Sequence, residues 1–282
     1  MYKIKLISDS TCDLSKELLL LHDIDIVPLY VNFRQESFFD GVNLSTIEMY
    51  HKIDKVGYLP KTAAASPGSF FELFDKYLTD GYQIIYTGIG SKFSATFQSA
   101  FTAKQMLHTD NIFLVDSGNL SSGSGLLLLK AAAFRNQGLD ANEIYEKMLE
   151  IVPKIRTQFV IDTLDYLYKG GRLNALSTLM GTVLKVKPII KVRNGEMVVG
   201  KKGRGSTRIG IDLMLNEILG LKEEIDQEFC IITHSMAESY VPYIRDQISE
   251  QMNIQNIYET EAGCVISSHC GKGAIGVLYI IK

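Results

Sequence analysis

Two hydroxyl-bearing segments hold the residues best suited to chemistry. Thr62 stands before three alanines in Lys61-Thr-Ala-Ala-Ala-Ser66-Pro67, and Ser94 lies in Phe93-Ser-Ala-Thr96. Each leads into an aromatic-bearing helical pattern, PGSFFELF in one case and TFQSAF in the other. A hydroxyl beside free backbone N–H groups, at the positive end of a helix dipole, suits an anion. Two such segments facing one cleft can take both oxygens of a carboxylate. Ser66 and Pro67 already supply the cap and first position of their helix, which leaves Thr62 for a ligand and the alanines as space for it. Hydroxyls and acids also crowd Ser8-Asp9-Ser10-Thr11 and Asp116-Ser117-Gly118. Capping a helix is the plain role of any one of them.

The first half alternates short β-branched runs (IKLIS, IDIVPLYV, QIIYTGI, NIFLVDS) with helical patterns such as TIEMYHKIDKV, SATFQSAFTAKQML and GSGLLLLKAAAFRNQ. This predicts a mostly parallel sheet with helices on both faces, over residues 1–155. The rhythm changes over 156–282. A helical stretch LNALSTLMGTVL precedes KPIIKV and EMVVGKK, which Arg193-Asn194-Gly195 joins as a hairpin with a type I′ turn. IGIDLMLNEILGLKEEI, EFCIITHS, another helix and the closing pieces NIYETEA, CVISSH and AIGVLYII follow, with His269 read at a strand end. The expected fold class is α/β, two closely packed lobes, the C-terminal one with antiparallel pairing.

The length of 282 residues fits about two domains at roughly 150 residues each. A net charge of −3 argues against a nucleic-acid partner or an anionic membrane surface. The longest apolar runs fall short of the ~20 residues of a bilayer span, so no stable membrane insertion is expected. Cys12, Cys230, Cys264 and Cys270 form no C-x-x-C pair, and MYKIKLISDS does not read as a signal peptide. Reduced thiols in a cytoplasm follow as the expectation.

Several motifs fail. Gly195-EMVV-Gly200-Lys201 has Lys202 where a P-loop needs Ser or Thr, and it sits in the hairpin. Gly271-Lys-Gly273-Ala-Ile-Gly276 has dinucleotide spacing but leads into a strand. Cys264, His269 and Cys270 lack a second pair of zinc ligands. A hydrolase using Ser94 with His269 and Asp116 is a competing reading, weakened because no G-x-S-x-G elbow exists. A phosphate or nucleotide binder using the same helix ends is another.

One set of motifs runs the length of the chain: ISDSTCDL (7–14), FDGV (39–42), Lys61-Thr62 with Ser66-Pro67, Ser94 in FSATFQSA, VDS (115–117), GGRL (170–173), KPII (187–190) and His269 in SSHCGKGAIGV. In order and spacing the sequence resembles the DegV family of fatty-acid-binding proteins, as one unit over about residues 3–281. The resemblance implies a long-chain fatty acid of palmitate or oleate type sealed between or within two lobes, its carboxylate held by Thr62 and Ser94. It places His269 and Arg172 in a supporting polar network or a partner-docking contact. It implies no catalytic residue, cofactor or metal in this chain, and a separate fatty-acid kinase as partner to a monomer. Two departures stand out. Ala63-Ala64-Ala65 replace Ser-Gln-Pro, which implies a roomier or drier head-group pocket. Lys272 replaces a proline, which relaxes its loop and implies a positive charge near the carboxylate.

Overall fold

The computed structural model describes residues 3–172 and 186–282; the expected helical stretch at 173–184 and Leu173 of the GGRL motif lie outside them. A parallel sheet has strand order β2-β1-β6-β7, built from β1 (Lys3–Asp9), β2 (Ile24–Val27), β6 (Tyr82–Gly88) and β7 (Ile112–Asp116). A small antiparallel sheet, β4-β3-β5, combines β3 (Tyr30–Phe33), β4 (Glu36–Phe39) and β5 (Lys61–Ala63). The run IDIVPLYV is therefore two strands rather than one. Pro28 has no N–H to give to a ladder, and the chain leaves one sheet for another there.

The third sheet has six strands, β8 (Ile155–Val160), β9 (Val186–Arg193), β10 (Glu196–Arg204), β11 (Ile225–Ser235), β12 (Asn256–Glu261) and β13 (Ala274–Ile281), in the order β10-β9-β8-β13-β11-β12. Pairing is antiparallel except for β12, which runs parallel to β11. The β9–β10 turn matches its sequence signal, with positive φ at both Asn194 (51°) and Gly195 (75°).

Ten α-helices are described. α1 (Lys16–Leu21), α2 (Thr46–Val56), α3 (Pro67–Thr79) and α4 (Thr96–Leu107) precede α5 (Ser122–Asn136) and α6 (Ala141–Ile151). They are followed by α7 (Asp165–Lys169), α8 (Thr207–Leu219), α9 (Val241–Gln251) and α10 (Cys264–Cys270). α3 and α4 cover one face of the parallel sheet, where Phe70, Phe74 and Ala100 pack with Ile7, Ile84 and Tyr86. α5 covers the other face and also lies against the six-stranded sheet. Its leucines share one cluster with Leu6 and Ile85 on one side and Ile231 and Leu278 on the other. That double contact explains why Ser122 to Ala132 are buried on every face of the helix. α8 and α9 close the far face of the six-stranded sheet.

CVISSH is not a closing strand but most of α10. Gly263 precedes it in extended conformation, and Gly271, at φ 79°, ends it. No helix among the described residues is long and apolar enough to cross a membrane.

Candidate functional site

One cavity takes residues from the three-stranded and six-stranded sheets and from the loops after β6 and β7, the carboxyl ends of the parallel strands. Its non-atom space, open mouth included, comes to about 970 Å³. Ile89, Phe93, Phe159, Met197, Ile266 and Leu278 give it an apolar wall. Hydroxyls line it too, but the protein engages them. Thr157 donates to Asn119 Oδ1 at 2.7 Å and Thr233 to Ser122 Oγ at 2.7 Å. Ser235 Oγ lies 2.7 Å from the Tyr50 hydroxyl and 2.8 Å from Ser267 Oγ, and Ser121 donates to Asp13 at 2.5 Å. Sequence reading missed these four residues. Their signal was position, because Thr233 and Ser235 end a strand and Ser121 follows one.

Thr62, Ser94, His269 and Arg172 all line this cavity. Thr62 is not beside a helix start, as the sequence suggested, but in β5, where its partner across the ladder is Val31. Its Oγ1 lies 3.0 Å from His269 Nε2. His269 sits in the last turn of α10 rather than at a strand end. Burial first, and the Arg172 charge second, push its imidazole down to about 4, so the ring is neutral at pH 7. Its buried Nδ1 has no hydrogen-bond partner in the described structure. A buried N–H without an acceptor is rarer than a bare lone pair. The proton therefore belongs on Nε2, donated to Thr62, and the threonine O–H is left without an acceptor on His269.

The first of the two glycines before Arg172 now has a reason. A Cβ at Gly170 would come within 2.2 Å of His269 Nδ1, so only glycine lets α7 meet the ring. Arg172 itself donates from Nη1 to the Gly170 carbonyl at 3.0 Å. Ser94 precedes α4, and its Oγ accepts the Thr96 N–H at 3.2 Å and lies 2.8 Å from Thr96 Oγ1. Ser66 caps α3 as the sequence indicated, accepting the Ser69 N–H at 3.1 Å.

Other expectations change. Ala63 and Ala64 line the cavity, whereas Ala65 is packed in the core. Lys272 does not line it; its ammonium lies 5.4 Å from the centre of the Tyr50 ring. Asp116 is not joined to His269, since its carboxylate accepts from Ser91 and Gly118 on the wall of a separate groove. Ser94, His269 and Asp116 thus form no triad. The four cysteines are buried and unpaired, with burial pushing each thiol up to about 12, as expected of small packing groups.

The DegV family model, described as uncharacterised protein, DegV family, matches residues 3–282. A DegV domain-containing protein of Clostridium acetobutylicum is 35% identical over 285 residues, covering 100% of each chain. Among solved structures, a DegV family protein from Thermus thermophilus described by its fatty acid binding superposes with a TM-score of 0.93 at 25% identity, over 99% of this chain and 100% of that one. A stearic acid-binding protein from Eubacterium ventriosum superposes with a TM-score of 0.88 at 27% identity, over 100% and 99%. With its fold, its cavity and a whole-length match in agreement, the chain belongs to the DegV family.

Proposed function

We propose that the protein is a carrier for one long-chain fatty acid, with the carboxylate held by the Thr62 and Ser94 hydroxyls and the acyl chain in the apolar part of the cavity. His269 orients Thr62, and Arg172 adds a positive charge beside the head group. The observation that supports this reading is the convergence of these four residues on a single cavity whose other hydroxyls are engaged by the protein and whose wall is largely apolar. A similarity to solved fatty-acid-binding proteins points the same way.

The energetics are consistent with it. Burying an acyl chain of about sixteen carbons contributes roughly 12 kcal/mol in gross terms, at ~0.8 kcal/mol per CH₂. Each charge-assisted hydrogen bond adds ~1.5–3 kcal/mol, and association costs ~4–15 kcal/mol. The tail supplies affinity and the hydroxyls supply orientation.

Native mass spectrometry of gently purified protein should show a co-purified acid, and repeated ligand-free spectra would sink the reading. Thr62→Ala with Ser94→Ala should weaken acid binding more than either change alone, each by about tenfold, or ~1.4 kcal/mol. We further propose that the protein acts as a cytoplasmic monomer and presents the bound acid to a separate kinase. That enzyme transfers the terminal phosphoryl group of ATP to a carboxylate oxygen, releasing ADP and leaving an acyl phosphate for lipid metabolism. Kinase plus ATP should give acyl phosphate only with this carrier present; equal turnover of free acid would refute the presenting role.

A further inference from the structure

The motifs ISDSTCDL and FDGV contribute no side chain to the cavity, yet each places buried carboxylates behind it. Asp9, Asp13 and Asp40 are 0%, 5% and 2% exposed. They form no ligand site of their own, because every carboxylate oxygen already has a donor. Asp40 Oδ1 accepts the Cys264 N–H at 2.7 Å, and its Oδ2 accepts the Ser10 hydroxyl at 2.9 Å. Asp13 Oδ1 accepts the Gly263 N–H at 2.9 Å, and its Oδ2 accepts the Ser121 hydroxyl. The two acids thus hold the residue before α10 and its first residue, from positions more than two hundred residues earlier. α10 puts Ile266 and Cys270 in the cavity wall and His269 against Thr62.

Asp9 serves the other side of the head group. Its Oδ2 accepts the Ile89 N–H and the Tyr86 hydroxyl, both at 2.9 Å, and its Oδ1 accepts from Thr11. Gly88 makes this possible, since a Cβ there would lie 1.9 Å from Asp9 Oδ2. From Ile89 the chain turns at once into Ser94, whose N–H reaches the Gly90 carbonyl at 3.3 Å.

We propose that Asp40, supported by Asp13, is a positioning residue for head-group recognition, fixing α10 so that His269 meets Thr62, independently of the Asp9 brace behind Ser94. This inference rests on the fatty-acid reading and deepens it. A residue that sets the head group must alter the preference for an acid over a neutral head of equal chain length, whereas a merely structural residue weakens both alike.

The experiment compares binding of palmitic acid and hexadecanol. Asp40→Ala should reduce the acid-over-alcohol preference about tenfold. Asp40→Asn should restore most of it, because the amide oxygen still accepts the Cys264 N–H and the amide N–H can turn to Ser10. Asp40→Ala should add nothing to the loss caused by Thr62→Ala, while with Ser94→Ala the two losses should multiply. If Asp40→Ala does not fold, Ser10→Ala removes only one anchor of Asp40 and should reduce the preference about threefold. An unchanged preference in these variants, equal loss of acid and alcohol, or coupling to Ser94 instead of Thr62 overturns the inference alone. A wild-type protein with no preference for the acid overturns the fatty-acid reading along with it.

Discussion

His269 shows how one buried side chain ties stability to pH. Its folded-state ionisation is pushed down from 6.5 to about 4. A depressed value means that the native state holds the neutral ring, so its contribution is complete above pH 6.5 and is lost as pH falls towards 4. A shift of this size corresponds to roughly 3 kcal/mol, at 1.36 kcal/mol per unit. The stability of wild type relative to His269→Gln should therefore shrink by about that amount between pH 7.5 and 4 in ligand-free chemical unfolding. A flat difference would refute the assignment. Gly170→Ala forces a methyl group into the space of Nδ1 and should lower fatty-acid affinity about tenfold, measured by calorimetry. Thr62 and Ser94 were legible as ligand candidates because hydroxyls among small residues are conspicuous. The direct contact of Thr62 with His269 was not: the two are 207 residues apart, and no local spacing brings them together.

The β9–β10 hairpin was readable from two residues, since Asn-Gly accepts the two positive φ angles that the turn imposes. Asn194→Ala should cost about 1–2 kcal/mol in urea unfolding and leave the acid-over-alcohol preference intact; a change in that preference would show that the turn reaches the site. α10 was misread for the opposite reason. Seven residues of mixed pattern do not distinguish strand from helix, and the groups that hold its first N–H groups, Asp13 and Asp40, belong to other segments. The three-stranded sheet escaped notice in the same way. β4 and β5 are short, and β5 gains its identity only by pairing with β3.

α5 joins the molecule's two larger sheets through one hydrophobic cluster. Leu127→Ala should cost ~2–5 kcal/mol while unfolding stays a single transition in fluorescence and circular dichroism; two separated transitions would mean that the sheets melt independently. A division at residues 1–155 and 156–282 remains a proposal, tested by whether the separate halves fold. The shared cluster predicts that 1–155 alone does not. Alternation of strands and helices made the parallel sheet readable, but the seating of α5 between two sheets was not, because a leucine- and alanine-rich helix buried on every face does not name its neighbours. β13 follows every other strand in sequence yet lies between β8 and β11. During synthesis the middle of the six-stranded sheet therefore leaves the ribosome after its five other strands. Until it emerges, β8 and β11 each present an unpaired edge and α5 a bare flank, so the nascent chain should depend on chaperone cover until β13 is free to pair.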